Sequence, residues 1–279
     1  MPIHDQGYQR YSGHRLAAGR RWWVIARAGT LARVRERRFL ALLVFAWVPF
    51  LVRAVQIYAA TTYTQASFLA PTPATFHQFL DQQGIFVFFI TIFVGSGLIA
   101  SDRRANALQL YLSKPLTRSE YIVGKLATLL AFLVAVTWVP AMLLLLVQMM
   151  FSGSLAFVRA NMFLIPAITL FASVQVLVSA MTMLALSSLS KNRRFVGVMY
   201  AGAVFFTAAM YRALREITGS ASWVWISPQD TLDVIAAGIF RLPAQEGLPL
   251  PVAAVVIAVL LGVTAWIVAR QVRGVEVVV

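Results

Sequence analysis

The sequence predicts an all-α polytopic membrane protein, with six transmembrane helices, an interfacial helix ahead of them, and both termini in the cytoplasm. Three observations predict it. Of 279 residues, 60% are hydrophobic and only 12% are charged, whereas a soluble domain carries about 25% charged residues. Six apolar runs approach the roughly 20 residues needed to cross a hydrocarbon core. The Lys and Arg residues collect on one side of those runs, the asymmetry that sets orientation in a bilayer.

The runs are 39–60, 85–100, 126–151, 162–189, 195–211 and 252–269. They divide the chain into a basic N-terminal segment, 1–38, a six-span domain, 39–269, and a tail, 270–279. The second run is short and borrows from its flanks. The fourth is long enough to include an interfacial turn. Pro49, Pro140 and Pro166 each remove a backbone donor and predict kinks or broken helices. The stretch from Thr61 to Gln83 reads as an outer loop too short to hold a folded domain. The outer connection from Arg212 to Leu250 is longer. In it Ser227-Pro228-Gln229-Asp230 is a helix start, with a capping hydroxyl, Pro in the first turn and an acid near the helix N-terminus. Leu232, Ile235, Ala236, Ile239 and Phe240 follow at helical spacing, which predicts a short amphipathic helix that either dips into the outer leaflet or rests on it.

Nineteen of the 24 Lys and Arg lie on one side: nine before the first run, five between the second and third, three between the fourth and fifth, and two in the tail. Four lie on the other side, and Arg53 is inside the first run. Both termini and the two basic loops are therefore expected in the cytoplasm. The net charge of +14 is spread over four segments as a topology signal, not concentrated as a nucleic-acid footprint, and no nucleic-acid partner is expected. Between Arg20 and Arg38, Trp22, Trp23, Val24, Ile25, Leu31 and Val34 alternate with arginines. That mixture suits a helix at the lipid headgroups, with a solvated basic arm as the alternative.

Nothing in the sequence supports chemistry on this chain, and no catalytic, cofactor-binding or metal-binding residue is expected. Cysteine is absent, and His4, His14 and His77 lie outside the runs with no zinc-motif spacing. No acid falls inside any run, which argues against a proton-driven carrier. The one Gly-Lys pair, Gly124-Lys125, lacks the rest of a phosphate-cradling loop, so any ATP and Mg would be bound by another polypeptide. Arg53, Gln56, Gln148 and Gln175 are polar residues within the runs. They are candidates for lining a pathway, against the alternative of snorkelling and bonding between helices.

The informative connection joins the second and third runs. Ser101 and Asp102 can cap a helix as the chain leaves the membrane, Ala105, Leu108 and Leu112 share one face, and Pro115 stops it. Thr117-Arg118-Ser119-Glu120 is a capping box for the next helix. The expected product is a short, rigid, charged helix held at the cytoplasmic face.

This stretch resembles the permease subunit of type-2 ATP-binding-cassette exporters. The matching residues are Asp102, the leucine-rich Leu108 to Leu112, Ser113, Pro115, Leu116, Thr117, Arg118, and the Tyr121-Ile122-x-Gly124-Lys125 segment that opens the third span. The layout from Arg20 to Arg273 is also similar. Asp102 and Ala105-Asn106-Ala107 stand where members often carry Glu and a Gly-Thr pair. The resemblance implies a dimer of identical or different permeases in a bacterial inner membrane, two ATPase subunits carrying ATP and Mg, and a substrate moved between the permeases, outward or between leaflets. It further implies an ATPase contact through Asp102, Arg103, Arg104, Leu108, Tyr111, Lys114, Pro115, Thr117, Arg118, Glu120, Tyr121 and Lys125, and a second contact through Lys191, Arg193 and Arg194. The alternative is a non-transporting membrane scaffold that recruits a cytoplasmic partner through the same loop.

Overall fold

The structure, a computed structural model, describes residues 21–63, 71–107, 116–151, 159, 161–243 and 247–272. Among these it is all helical, and six helices are long and apolar enough to cross a membrane. In chain order, spans 1 to 6 are Arg37–Thr62, Pro73–Arg104, Arg118–Phe151, Leu164–Leu189, Arg193–Thr218 and Leu250–Gln271.

Helix α1 (Arg21–Val34) precedes them. Span 1 is two pieces, α2 (Arg37–Phe45) and α3 (Val48–Thr62), broken just before Pro49. Span 2 begins as α4 (Pro73–Ile90), passes through a π-helical turn at Thr91–Gly95, and ends as α5 (Ala100–Arg104). Span 3 is α6 (Arg118–Val136) and α7 (Trp138–Phe151), which part at Thr137, three residues before Pro140. Spans 4 and 5 are α8 (Leu164–Leu189) and α9 (Arg193–Thr218). A 3-10 turn and α10 (Pro228–Ile239) then lead to α11 (Leu250–Gln271), which is span 6. Pro49 and Pro140 thus bound broken helices, as expected. Pro166 sits in the first turn of α8, where the missing N–H has no intrahelical partner to lose.

The structure corrects the second span most. Residues from Pro73 onward, read as outer loop, are helical. Thr72 starts the helix, its N–H donating to Thr75 Oγ1 at 3.1 Å, with Pro73 at the first helical position. His77, Gln78, Asp81, Gln82 and Gln83 make this half too polar for a search for apolar runs. Two of those side chains are used inside the bundle. Gln83 is fully buried, and its Nε2 donates to Ala46 O at 3.1 Å, at the break in span 1. His77 packs between Phe171 and Phe240.

Two apolar clusters fill the bundle, one above the other. At the end where spans 2 and 3 are joined, Phe39, Ile90, Tyr121, Leu129 and Met183 are enclosed. At the other end, Ile57, Phe76, Phe79, Phe171 and Phe240 are enclosed. Span 4 packs against spans 2, 3, 5 and 6 and is the centre of the assembly. Spans 1, 5 and 6 lie outermost and leave Val44, Val55, Val198, Phe205, Phe206 and Trp266 uncovered, a surface that lipid tails would wet. The α10 helix starts as expected, with Ser227 Oγ accepting from Asp230 N at 3.4 Å. Its apolar face does not turn to lipid, however. Leu232, Val234, Ile235 and Ala236 are buried where α10 packs on spans 4, 5 and 6.

Helix α1 lies against α6. Ala26 is buried there, and a Cβ at Gly124 would stand 2.8 Å from Ile25 Cβ and 2.9 Å from Trp22 O. The Gly of the Tyr-Ile-x-Gly-Lys segment therefore admits a neighbouring helix backbone. The opposite face of α1 exposes Trp23, Val24, Leu31 and Val34 beside Arg27 and Arg35.

Candidate functional site

Two features stand out, one at each end of the bundle. The first is the base of the connection between spans 2 and 3. Ser101 and Asp102 lie inside α5 and do not cap it; the N-cap position is Ile99. Asp102 instead binds across to span 3. Tyr121 and Lys125, one turn apart on α6, face the same way. The Tyr121 hydroxyl donates to Asp102 Oδ2 at 2.7 Å, and Lys125 Nζ lies 2.7 Å from the same oxygen. Lys125 also sits over the Tyr121 ring, 5.4 Å from its centroid. Tyr121 is fully buried, and the two charged side chains are only 14% and 17% exposed. This partial desolvation strengthens the ion pair relative to one on an open surface.

The capping box forms as expected: Glu120 N donates to Thr117 Oγ1 at 3.2 Å and Thr117 N to Glu120 Oε2 at 3.0 Å. Helix α5 ends where Asn106 adopts φ 52°, a left-handed conformation that Asn tolerates better than most residues. Arg104 and Arg118 are exposed, and Arg103 is partly covered. Leu108, Tyr111, Lys114 and Pro115 lie outside the described residues, as does the expected helix between Asp102 and Pro115 beyond Ala107.

Behind this base, span 2 is interrupted, and spans 4 and 5 satisfy the interruption. The first N–H groups of α5 have no intrahelical acceptor. Ser187 Oγ of span 4 accepts from Ile99 N at 3.1 Å and Ala100 N at 3.0 Å, and donates to Ser96 O at 3.1 Å. Arg193 of span 5 donates through Nη2 to Phe93 O at 2.7 Å and through Nε to Ser96 Oγ at 3.3 Å. Arg193, grouped by sequence with Lys191 and Arg194 as a cytoplasmic contact, thus bonds within the chain. Lys191 and Arg194 are exposed at the start of α9. Ser187→Ala would strand two buried N–H groups, each unsatisfied group costing roughly 1–3 kcal/mol. It is expected to destabilise the chain by about 2 kcal/mol, measured by unfolding in mixed micelles, while Ser187→Thr keeps most of the stability.

The second feature is a cleft of about 500 Å³ at the other end, between α4, α8, α9 and α10. Asp81, Asp230, Asp233, Gln229 and Arg212 are among its polar residues, and Val87, Phe88, Phe89, Val204 and Phe205 among its apolar ones. His77 Nε2 of α4 lies 3.8 Å from Asp233 Oδ1 of α10, beyond hydrogen-bond distance. Of the four candidate pathway residues, Gln175 alone lines this cleft. Arg53 donates to Gln56 Oε1 at 3.3 Å, and both line a separate groove of about 590 Å³ that shares Asp81. Gln148 is buried on α7 and lines neither space.

Sequence reasoning missed Asp81, Asp230 and Asp233 as site residues. The available signal was the spacing of Phe76, Phe79, Leu80, Gln83 and Val87, which carries one buried helical stripe from Pro73 into the apolar run. With the helix extended, acidic residues do lie within span-length helices, which the apolar runs alone did not contain.

Fold and sites together define, among the described residues, a membrane protein with six span-length apolar helices, a clamped interhelical connection at its basic end and an acidic, aromatic-walled cleft at the other. Neither a protein-family model nor a characterised protein matches the chain.

Proposed function

We propose that this chain is the permease subunit of an ATP-binding-cassette exporter. It works as a dimer of permeases, and separate ATPase subunits carrying ATP and Mg drive it through the connection between spans 2 and 3. The observation that carries the reading is the clamp of Asp102 by Tyr121 and Lys125. A push on a loosely held connection would be absorbed by the loop. With its base clamped, the same push moves the ends of spans 2 and 3 together. Ser187 and Arg193 extend the linkage to spans 4 and 5 through the broken backbone of span 2. The basic connections and both termini face the cytoplasm of a bacterial cell in this reading, α1 lies at the headgroups, and substrate passes between the two permeases.

The test is coexpression with a candidate ATPase. The expected result is copurification, and a several-fold loss of ATP turnover in the complex when Pro115→Gly or Glu120→Ala is introduced. Absence of a bound ATPase, together with a different cytoplasmic protein retained through the same connection, would favour a scaffold instead.

A further inference from the structure

We propose that the cleft between spans 2, 4 and 5 and α10 binds a protonated amine carried on an apolar body. The binding site stands without an ATPase; only its description as a transport site rests on the permease reading. Three carboxylates, Asp81, Asp230 and Asp233, face the cleft with one guanidinium, Arg212. Carboxylates alone would not identify a ligand, since Asp230 also accepts from the Ser227 hydroxyl in the helix cap and Asp233 lies near His77.

Gln175 supplies the independent observation. It lines the same cleft and is only 9% exposed. Its Nε2 donates to Leu80 O at 3.3 Å. A carbonyl can only accept, so this bond fixes the amide orientation and turns Oε1 away from Leu80. That Oε1 is buried and has no hydrogen-bond partner among the described residues. A buried acceptor left unpaired is unfavourable, and the amide that carries it is bonded through Nε2 to Leu80, the residue that precedes Asp81. The site therefore offers carboxylate oxygens and an orphaned amide acceptor on side chains that line one cleft. An ammonium has three donors and no acceptor and satisfies both. An anion could pair with Arg212 but has nothing to donate to Gln175 and would meet three carboxylates. The aromatic wall of Phe88, Phe89 and Phe205 suits the apolar body, and aromatic faces also attract cations.

The ammonium can come from an aminophospholipid headgroup or from a free amphipathic amine. The full chain in phosphatidylcholine nanodiscs at neutral pH would be titrated with radiolabelled dodecylamine. Saturable, protein-dependent binding is expected, displaced by unlabelled dodecylamine but not by dodecanol or dodecyl sulfate. The Asp81→Asn/Asp233→Asn double variant is expected to weaken it about ten-fold, or about 1.4 kcal/mol, and Gln175→Leu several-fold. If phosphatidylethanolamine in the disc displaces the probe, the lipid headgroup is the source; if it does not, the free amine is. Displacement by dodecanol or dodecyl sulfate as effective as by dodecylamine overturns the proposal, and this comparison needs no variant. So does wild-type affinity in both variants. Binding with no ATPase partner would sink the permease reading and leave this site standing.

Discussion

Lys125→Met is expected to lower the unfolding free energy by about 3 kcal/mol, the low end of the cost of removing one partner from a buried ion pair. Methionine replaces the bulk of the lysine stem, so the loss is electrostatic. It strands the Asp102 carboxylate, 17% exposed, with the Tyr121 hydroxyl as its remaining partner among the described residues. The sharper measurement is the double variant Asp102→Asn/Lys125→Met, in which no charge is left unpaired. It is expected to recover most of the lost stability, because replacing both members of a partly desolvated pair is far less damaging than breaking it. Guanidinium- or detergent-induced unfolding of both variants in micelles gives the comparison. Equal stability of the two would mean that the pair is solvated, and the connection between spans 2 and 3 would then have no electrostatic clamp.

Gly124→Leu is expected to cost about 3 kcal/mol, the upper range for overpacking a tight contact, and to lift α1 from α6. The new Cβ would stand 2.9 Å from Trp22 O, a backbone atom with no rotamer in which to retreat, and 2.8 Å from Ile25 Cβ. Gly29, on the other helix of the same contact, is also tight: a Cβ there would stand 2.7 Å from Thr128 Oγ1 and 2.9 Å from Thr128 Cγ2, both branches of a buried side chain whose hydroxyl donates to Gly124 O. Gly29→Ala is expected to loosen the same contact, and less than Gly124→Leu because it adds one carbon instead of four. Tryptic cleavage at Arg27 and Arg33 reads α1 docking directly. Gly124→Leu should accelerate it while spans 1 to 6 stay protected, and unchanged cleavage would show that α1 is held by something other than this contact.

All six spans were legible as apolar runs because the requirement that produces them is local: about 20 neighbouring residues must each tolerate lipid. The capping box at Thr117 and the helix start at Ser227 were legible for the same reason, since a cap is written within four residues. The second span was misdrawn at its outer end because five polar residues between His77 and Gln83 broke the apolar run. They are tolerated where the bundle or an open cleft receives them, which no window along the sequence can register. The family resemblance picked out Asp102, Tyr121, Gly124 and Lys125, but not what they do. Gly124 makes room for α1, while Asp102 joins the other two across an interhelical gap.

By itself, then, the sequence determined which segments are apolar enough to leave water, where several helices begin, and how basic charge is distributed among the connections. Only the tertiary structure decided how the broken helices are made whole. Ser187 reaches the open N–H groups of Ile99 and Ala100, and Gln83 reaches the carbonyl of Ala46 at the break in span 1. These partners are far apart in sequence. They meet because a backbone group denied water must find a partner wherever the packing brings one.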